Sequence, residues 1–318
     1  MKIGILGDLQ LTNRSPERRL DNYFETLKDK LQQAFTIFKE NSCSCVIQVG
    51  DFCDSPTIAN RVISSIIEVL IHGLYPISLY DPIDPLCCVY GQHDISGHSK
   101  STLPNSPLAV FESAGLIKML DDNPHIVGLV SEGSETSVAL YGSSFGEGIP
   151  KPFEDNYNVL VTHRMIGNRP LWPGQELVGP RQFLRKYPEY NLICCGDYHY
   201  RFFETWNGRT IVNPGAIVRK TISKFDLEHK PAVVIFDTNT SKLEVVELDV
   251  KPVEEVFDLT RDIKKKDSEI LSQLVEKLKQ GGKKLSGWKH FLVRVLEERK
   301  ANKKVRDIID QSLEEVKE

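Results

Sequence analysis

Three observations predict an α/β fold. The first half of the chain alternates apolar strand-like runs with helical segments. The second half strings short apolar runs together with few helices between them. A third zone, residues 251–318, is charged and amphipathic. The alternation argues for a largely parallel sheet, because a crossover helix returns the chain to start a parallel neighbour. The run of short strands argues for a second, mixed sheet. The last zone reads as a small α+β appendage, which divides the chain into 1–250 and 251–318.

Residues 2–7 read as a short buried strand. Ser15, Pro16 and Glu17 carry a helix start: a cap, a proline at the first helical position, then an acid. The helix that follows sets Leu20, Phe24, Leu27, Leu31, Phe35 and Phe38 at three-and-four spacing, one apolar face. CVIQV, from Cys45, is the next strand. Residues 57–72 read as a helix rich in Val and Ile, and LCCVY, from Leu86, as a strand. Ser106 and Pro107 open a short helix that ends near Gly115. HIVGLV, SVALYG, NVLVTH, NLICC, TIVN, AVVIF and KLEVVELDV are the short strands of the second sheet. Beyond them a charged helix over 261–280, a GGKK break, the strand HFLVRVLEE and a final helix over 301–317 make up the appendage.

The 318 residues carry a net charge of -4, so any basic footprint for nucleic acid must be local. The seven cysteines form no CxxC pair. Cys45, Cys87, Cys88, Cys194 and Cys195 sit in apolar runs and read as small buried hydrophobes in a reducing compartment, which argues against a disulfide framework and a thiolate zinc site. The N-terminal apolar run meets Asp8 too soon for a signal peptide, and no run approaches transmembrane length. The expectation is a soluble, cytoplasmic protein without a membrane partner.

One pattern recurs five times: an apolar strand ends in a polar loop that carries metal-capable groups. ILGDLQ gives Asp8 and Gln10. VIQVGDFCD gives Asp51 and Asp54. CCVYGQHD gives Gln92, His93 and Asp94. VLVTHR gives His163. LICCGDYH gives Asp197 and His199, with Tyr198 between them expected to point away. Each residue alone has a blander reading, as a turn carboxylate or a structural imidazole. Together, at the carboxyl ends of strands where loops converge, they point to one site. Carboxylates, amide carbonyls and some imidazole suit two hard divalent cations, Mn²⁺ or Mg²⁺. Such a pair can bind a phosphate ester, activate water and stabilise entering and leaving oxygens.

The ordered motifs resemble the calcineurin-like metallophosphoesterases, and among them the SbcD-type DNA repair nucleases of bacteria and phages. GDFCDSP, GQHD and NPGAIVRKT at 213–221 carry the nuclease likeness, which covers roughly residues 1–245. The chain departs from the family's D-x-H, GNH and GHxH patterns at Gln10, Gln92 and Asp197, all able to offer oxygen. The resemblance implies two mixed β-sheets packed face to face with helices outside, a four-layer sandwich, and a small capping domain. It implies that Asp51 bridges two Mn²⁺ ions, that Asp8, Gln10 and His199 hold one, and that Gln92, His163 and Asp197 hold the other. It implies His93 as the catalytic imidazole, with Asp54 or Asp94 to orient it. The activity implied is a DNA exonuclease or single-strand endonuclease in repair, recombination or replication. Its partners would be DNA, an SbcC-type ABC ATPase and a second copy of the chain. Arg14, Arg164, Arg201 and Arg219, with Lys220 nearby, are candidates to meet backbone phosphates. The alternatives are a metallophosphoesterase acting on nucleotides or phosphoproteins, and a partly degenerate scaffold that works through partners.

Overall fold

The computed structural model describes residues 1–74, 85–127, 137–153, 156–171 and 175–260. Among them, the residues up to Leu259 belong to one compact unit. The expected appendage lies, from residue 261 onward, outside the described residues.

The first sheet starts as the sequence pattern suggests. β1 (Lys2–Leu6), β2 (Cys45–Gln48), β3 (Leu86–Cys88) and β4 (Ile117–Met119) run parallel, linked by helices α1 (Tyr23–Glu40), α2 (Asn60–Leu74) and α3 (Pro107–Ser113). The second sheet contains β5 (His125–Val127), β6 (Val138–Ser143), β7 (Tyr157–His163), β8 (Leu192–Gly196), β9 (Phe202–Trp206) and β10 (Arg209–Asn213). A short helix, α4 (Pro180–Lys186), precedes β8. β11 (Ala232–Asp237) and β12 (Lys242–Glu247) do not join this sheet as expected. They return to the first, where β11 pairs antiparallel with β1. Both sheets are therefore mixed.

The period of two along each strand sorts side chains into layers. Ile3, Ile5, Cys45 and Ile47 of the first sheet meet Val159, Val161, Leu192 and Cys194 of the second in one buried cluster. The sheets thus pack face to face. Leu6, Val46 and Cys88 pack instead with α1 and α2 through Leu31, Phe35, Ile66 and Leu70. Leu160, Ile193 and Cys195 pack with Phe183 and Leu184 of α4. Three apolar layers between four structural ones make the expected sandwich. Both faces of the central strands are buried, which is why their sequences read as continuous apolar runs.

The first helix begins later than its Ser-Pro-Glu signal. Asn22 is its cap, accepting from the Glu25 amide at 3.4 Å. Residues 15–21 are irregular because Arg19 is drawn inward. Its guanidinium makes two 2.7 Å bonds to Asp21 and lies over the rings of Tyr23 and Phe257. Leu20, placed by the pattern on the apolar face, is instead 60% exposed.

Candidate metal centre

β1, β2 and β3 end at the same edge of the first sheet, and β7 and β8 at the same edge of the second. The loops that leave these ends carry all the predicted donors. Three of the donors sit in left-handed backbone: Gln10 at φ 46°, Asp51 at φ 49° and Asp197 at φ 77°. Each such residue costs about 1–3 kcal/mol and persists only where its surroundings fix it. Here the Gln10 amide donates to Asp51 O at 2.8 Å, and the Asp197 amide to Asp8 Oδ2 at 3.1 Å. Gly91 is tied to the same packing, since a Cβ there would lie 2.0 Å from Asp51 Oδ1.

The predicted donors form one connected network. Asp51, fully buried, accepts from the His93 amide at 3.0 Å and lies 3.5 Å from both His163 Nε2 and Gln10 Nε2. Gln10 Nε2 is also 3.5 Å from His199 Nε2, which lies 3.3 Å from Asp8 Oδ2. Gln92 Nε2 donates to Asp197 Oδ1 at 2.9 Å. Burial pushes the Asp51 carboxyl up, but His163 and His93 outweigh it and hold it below the usual range. Burial pulls His163 down, yet the Asp51 carboxylate, helped by Asp8 and Asp197, raises it to about 10. His199 is likewise raised, by Asp8 against burial. Asp197 is raised, chiefly by burial.

Two buried side-chain atoms in this network lack a hydrogen-bond partner: His163 Nε2 and Gln92 Oε1. Their identities are fixed by their other ends. His163 Nδ1 must donate to the Val49 carbonyl, 2.7 Å away, and Gln92 must turn its NH₂ to the Asp197 carboxylate. His163 Nε2 therefore needs either a proton or a cation. With His163 deprotonated, these two lone pairs beside three acidic side chains fit a divalent cation. Among the described residues no three His, Cys, Asp or Glu side chains converge on one point, because the carboxylates pair with the imidazoles.

A surrounding set of groups aims the network. Gln48, fully buried, donates to the carbonyls of Gly7 (3.2 Å) and Gly50 (2.6 Å) and so joins the first two loops. Asp94 accepts from the Phe52, Cys53 and Gly91 amides at 3.2, 2.7 and 2.8 Å. Burial and the nearby Asp51 charge push it up to about 7 against those amides. His93 Nδ1 bonds the Asp54 carbonyl at 3.2 Å, so backbone rather than a carboxylate orients this ring. The Asp54 carboxylate pairs with Lys220, whose ammonium also reaches Gln10 Oε1 at 3.2 Å. The amide oxygen expected to ligate is thus turned to a lysine. Asn213 donates to the Tyr198 carbonyl at 2.6 Å, and the Ala216 and Ile217 amides reach the carbonyls of His199 and Asp8. The NPGA segment therefore joins the first and last loops. A polar residue inside an apolar strand was the signal that could have found Gln48. Lys220 was expected near phosphates, and its pairing with Gln10 and Asp54, both distant in sequence, left no signal.

The four arginines differ in exposure. Arg14 is exposed. Arg201 is half-buried, donating to the Lys230 carbonyl at 3.1 Å. Arg164 donates to the Glu147 carbonyl. Arg219 corrects the expectation of a phosphate contact: it is 6% exposed, and its guanidinium donates to the Lys251 carbonyl.

The family model for calcineurin-like phosphoesterases matches residues 1–201, more than half of the chain. The chain belongs to the calcineurin-like phosphoesterase family. Members of this family use a dinuclear divalent-metal centre, and the family points to a hydrolase. Several solved structures are similar to this phosphoesterase. An archaeal phosphodiesterase is 17% identical with a TM-score of 0.40, covering 78% of this chain and 100% of its own. A Thermus thermophilus protein is 11% identical with a TM-score of 0.46, over 77% of this chain and 98% of its own. A dimetal phosphatase from Danio rerio is 12% identical with a TM-score of 0.44, over 74% and 91%. No curated protein matches the chain. No helix among the described residues is long and apolar enough to cross a membrane.

Proposed function

We propose that this phosphoesterase is an Mn²⁺-dependent DNA phosphodiesterase, an exonuclease or single-strand endonuclease. The observation that carries the reading is the single network joining Asp8, Gln10, Asp51, Gln92, His163, Asp197 and His199 beside His93. Asp51, His163, Gln92 and Asp197 would hold one divalent cation, and Asp51, Asp8 and His199 the other. When bound, the cations supply neutralisation of phosphoryl charge and a lowered pKa for water. The chain supplies the positioning. His93 has Nδ1 fixed on the Asp54 carbonyl, so Nε2 is the nitrogen left to exchange a proton with a leaving oxygen. Its side chain is 42% exposed, open to a substrate.

The nuclease branch is favoured by the NPGAIVRKT segment, whose amides and Asn213 seat the Asp8 and His199 loops. A specific observation favours a second reading, a scaffold of reduced activity: Lys220 engages the oxygen of Gln10. An SbcC-type ATPase and a second copy are partners proposed from the resemblance alone.

The test is hydrolysis of bis(4-nitrophenyl) phosphate and of single- and double-stranded DNA with Mn²⁺, Mg²⁺ or chelator. Diester and DNA cleavage that needs metal supports the proposal. Cleavage of monoesters alone points to a phosphatase, and no cleavage under any condition to the scaffold.

A further inference from the structure

Directly after His199 the chain builds a second feature, which the metal centre does not use. Tyr200, Phe225 and His229 form a ladder of tilted rings, with centroids 3.9 Å apart in the first pair and 4.8 Å in the second. Arg169 lies over the Tyr200 ring, 5.3 Å from its centroid. Together with Arg201, Lys224, Lys230 and neighbouring residues they line a cleft of about 550 Å³, a size that suits a small organic ligand.

The Arg169–Tyr200 pair is held from beneath. Tyr198, only 2% exposed, donates its hydroxyl to the Arg169 carbonyl at 3.1 Å. Its ring passes under Gly167, where a Cβ would lie 2.7 Å from the ring. A large buried residue between Asp197 and His199 thus ties the loop of Arg169 to the loop of the metal centre. Tyr200 itself is half-buried and Arg169 exposed, so this platform faces solvent.

The cations around it are loosely paired. Arg201 and Lys230 share Glu247 at 3.9 and 3.4 Å, and Lys224 lies 3.9 Å from Glu228. Among the described residues no carboxylate forms an ion pair with Arg169. A planar cation over an aromatic face, rimmed by further cations, suits a planar ligand joined to negative charge. A nucleobase on a phosphate backbone has that chemistry.

We infer that the Arg169–Tyr200 platform stacks a base of a single-stranded polynucleotide whose neighbouring phosphate lies at the His199 end of the metal centre. The inference rests on the phosphodiesterase reading and deepens it by assigning the residues that would hold a base of the substrate. A single strand is specified because a base must leave its stack to meet an aromatic platform.

The test uses the full chain with chelator present and a fluorescein-labelled oligothymidylate of about eight nucleotides, read by anisotropy. Wild type is expected to bind it about tenfold more tightly than an abasic oligomer of the same length. Arg169→Ala and Tyr200→Leu are expected to remove that preference, and Tyr200→Phe to keep it. Equal binding of abasic and base-bearing oligomers by wild type would overturn the inference. So would an unchanged preference in both Arg169→Ala and Tyr200→Leu, or displacement by thymidine monophosphate as effective as by the oligomer. Hydrolysis of bis(4-nitrophenyl) phosphate by the wild type, measured apart, decides the phosphodiesterase reading on its own.

Discussion

Lys220 Nζ lies 3.2 Å from Gln10 Oε1 and also pairs with the Asp54 carboxylate. An ammonium can only donate, so the contact fixes the oxygen of the Gln10 amide on the lysine and its NH₂ toward Asp51 and His199. Lys220 is itself steered by Asp226, which accepts from the Lys220 and Thr221 amides at 3.0 Å each. A fixed cation near three acidic side chains competes with a divalent ion. Replacing Lys220 by Met should therefore raise Mn²⁺ affinity about tenfold. Isothermal titration of wild type and variant checks this. Equal affinities would show that the ammonium does not oppose metal.

Gln10→His is expected to act in the same direction by another route. Imidazole is a stronger donor to a transition metal than a neutral amide, and it has no oxygen for Lys220 to hold. Histidine is also among the residues that tolerate a φ of 46° better than most. Mn²⁺ affinity should rise about tenfold, with single-strand cleavage retained. An unchanged affinity would remove residue 10 from the metal centre.

The metal-free protein should lose stability at alkaline pH. His163 is raised to about 10 when folded, above its ordinary 6.5, by the Asp51 carboxylate. A raised imidazole stabilises the fold fully below its unfolded pKa, and that stabilisation is lost as pH climbs through the folded value. Thermal midpoints in chelator should therefore fall as pH passes from about 6.5 to about 10. Metal binding has the opposite sign, since it requires His163 Nε2 deprotonated, so Mn²⁺ affinity should rise over the same window. A flat stability profile for wild type, or one matched by His163→Gln, would break the link.

Arg219→Ala should destabilise the fold rather than weaken DNA binding. The guanidinium is buried on the Lys251 carbonyl, and its own carbonyl accepts from Arg19 at 2.5 Å. Loss of the bond and of the packed stem should cost about 2–3 kcal/mol. Urea unfolding measures it. An unchanged midpoint together with a weaker oligonucleotide complex would return Arg219 to the substrate.

The layers of the sandwich were legible because buried strands keep an apolar run wherever they sit. The sheet membership of β11 and β12 was not, since apolar runs do not record their partners. The donors were legible from one grammar repeated at five strand ends. Their orientation was not. Asp54 meets a lysine 166 positions away, and Arg219 turns to Lys251 in a segment read as a different zone. Local patterns reveal which residues carry chemistry. Long-range hydrogen bonds, which leave no periodicity, decide what those residues face. The helix start at Ser15 failed for the same reason, because Arg19 found Asp21 and two aromatic rings instead of a helical turn.

β1 lies between β2 and β11, with Lys2 opposite Asp237. The earliest of the described strands is thus completed by one of the last of them. Until about residue 237 has been synthesised, one edge of the Lys2–Leu6 ribbon has no ladder partner. Asp8, whose carbonyl accepts from Ile217, cannot be fully seated either. The loop to be closed is long, and pairing of this kind is slow to nucleate. During translation the nascent chain carries an open, apolar strand edge, the kind of surface on which aggregation starts and chaperones act. Assembly of the centre is thereby delayed until nearly the whole phosphoesterase unit exists.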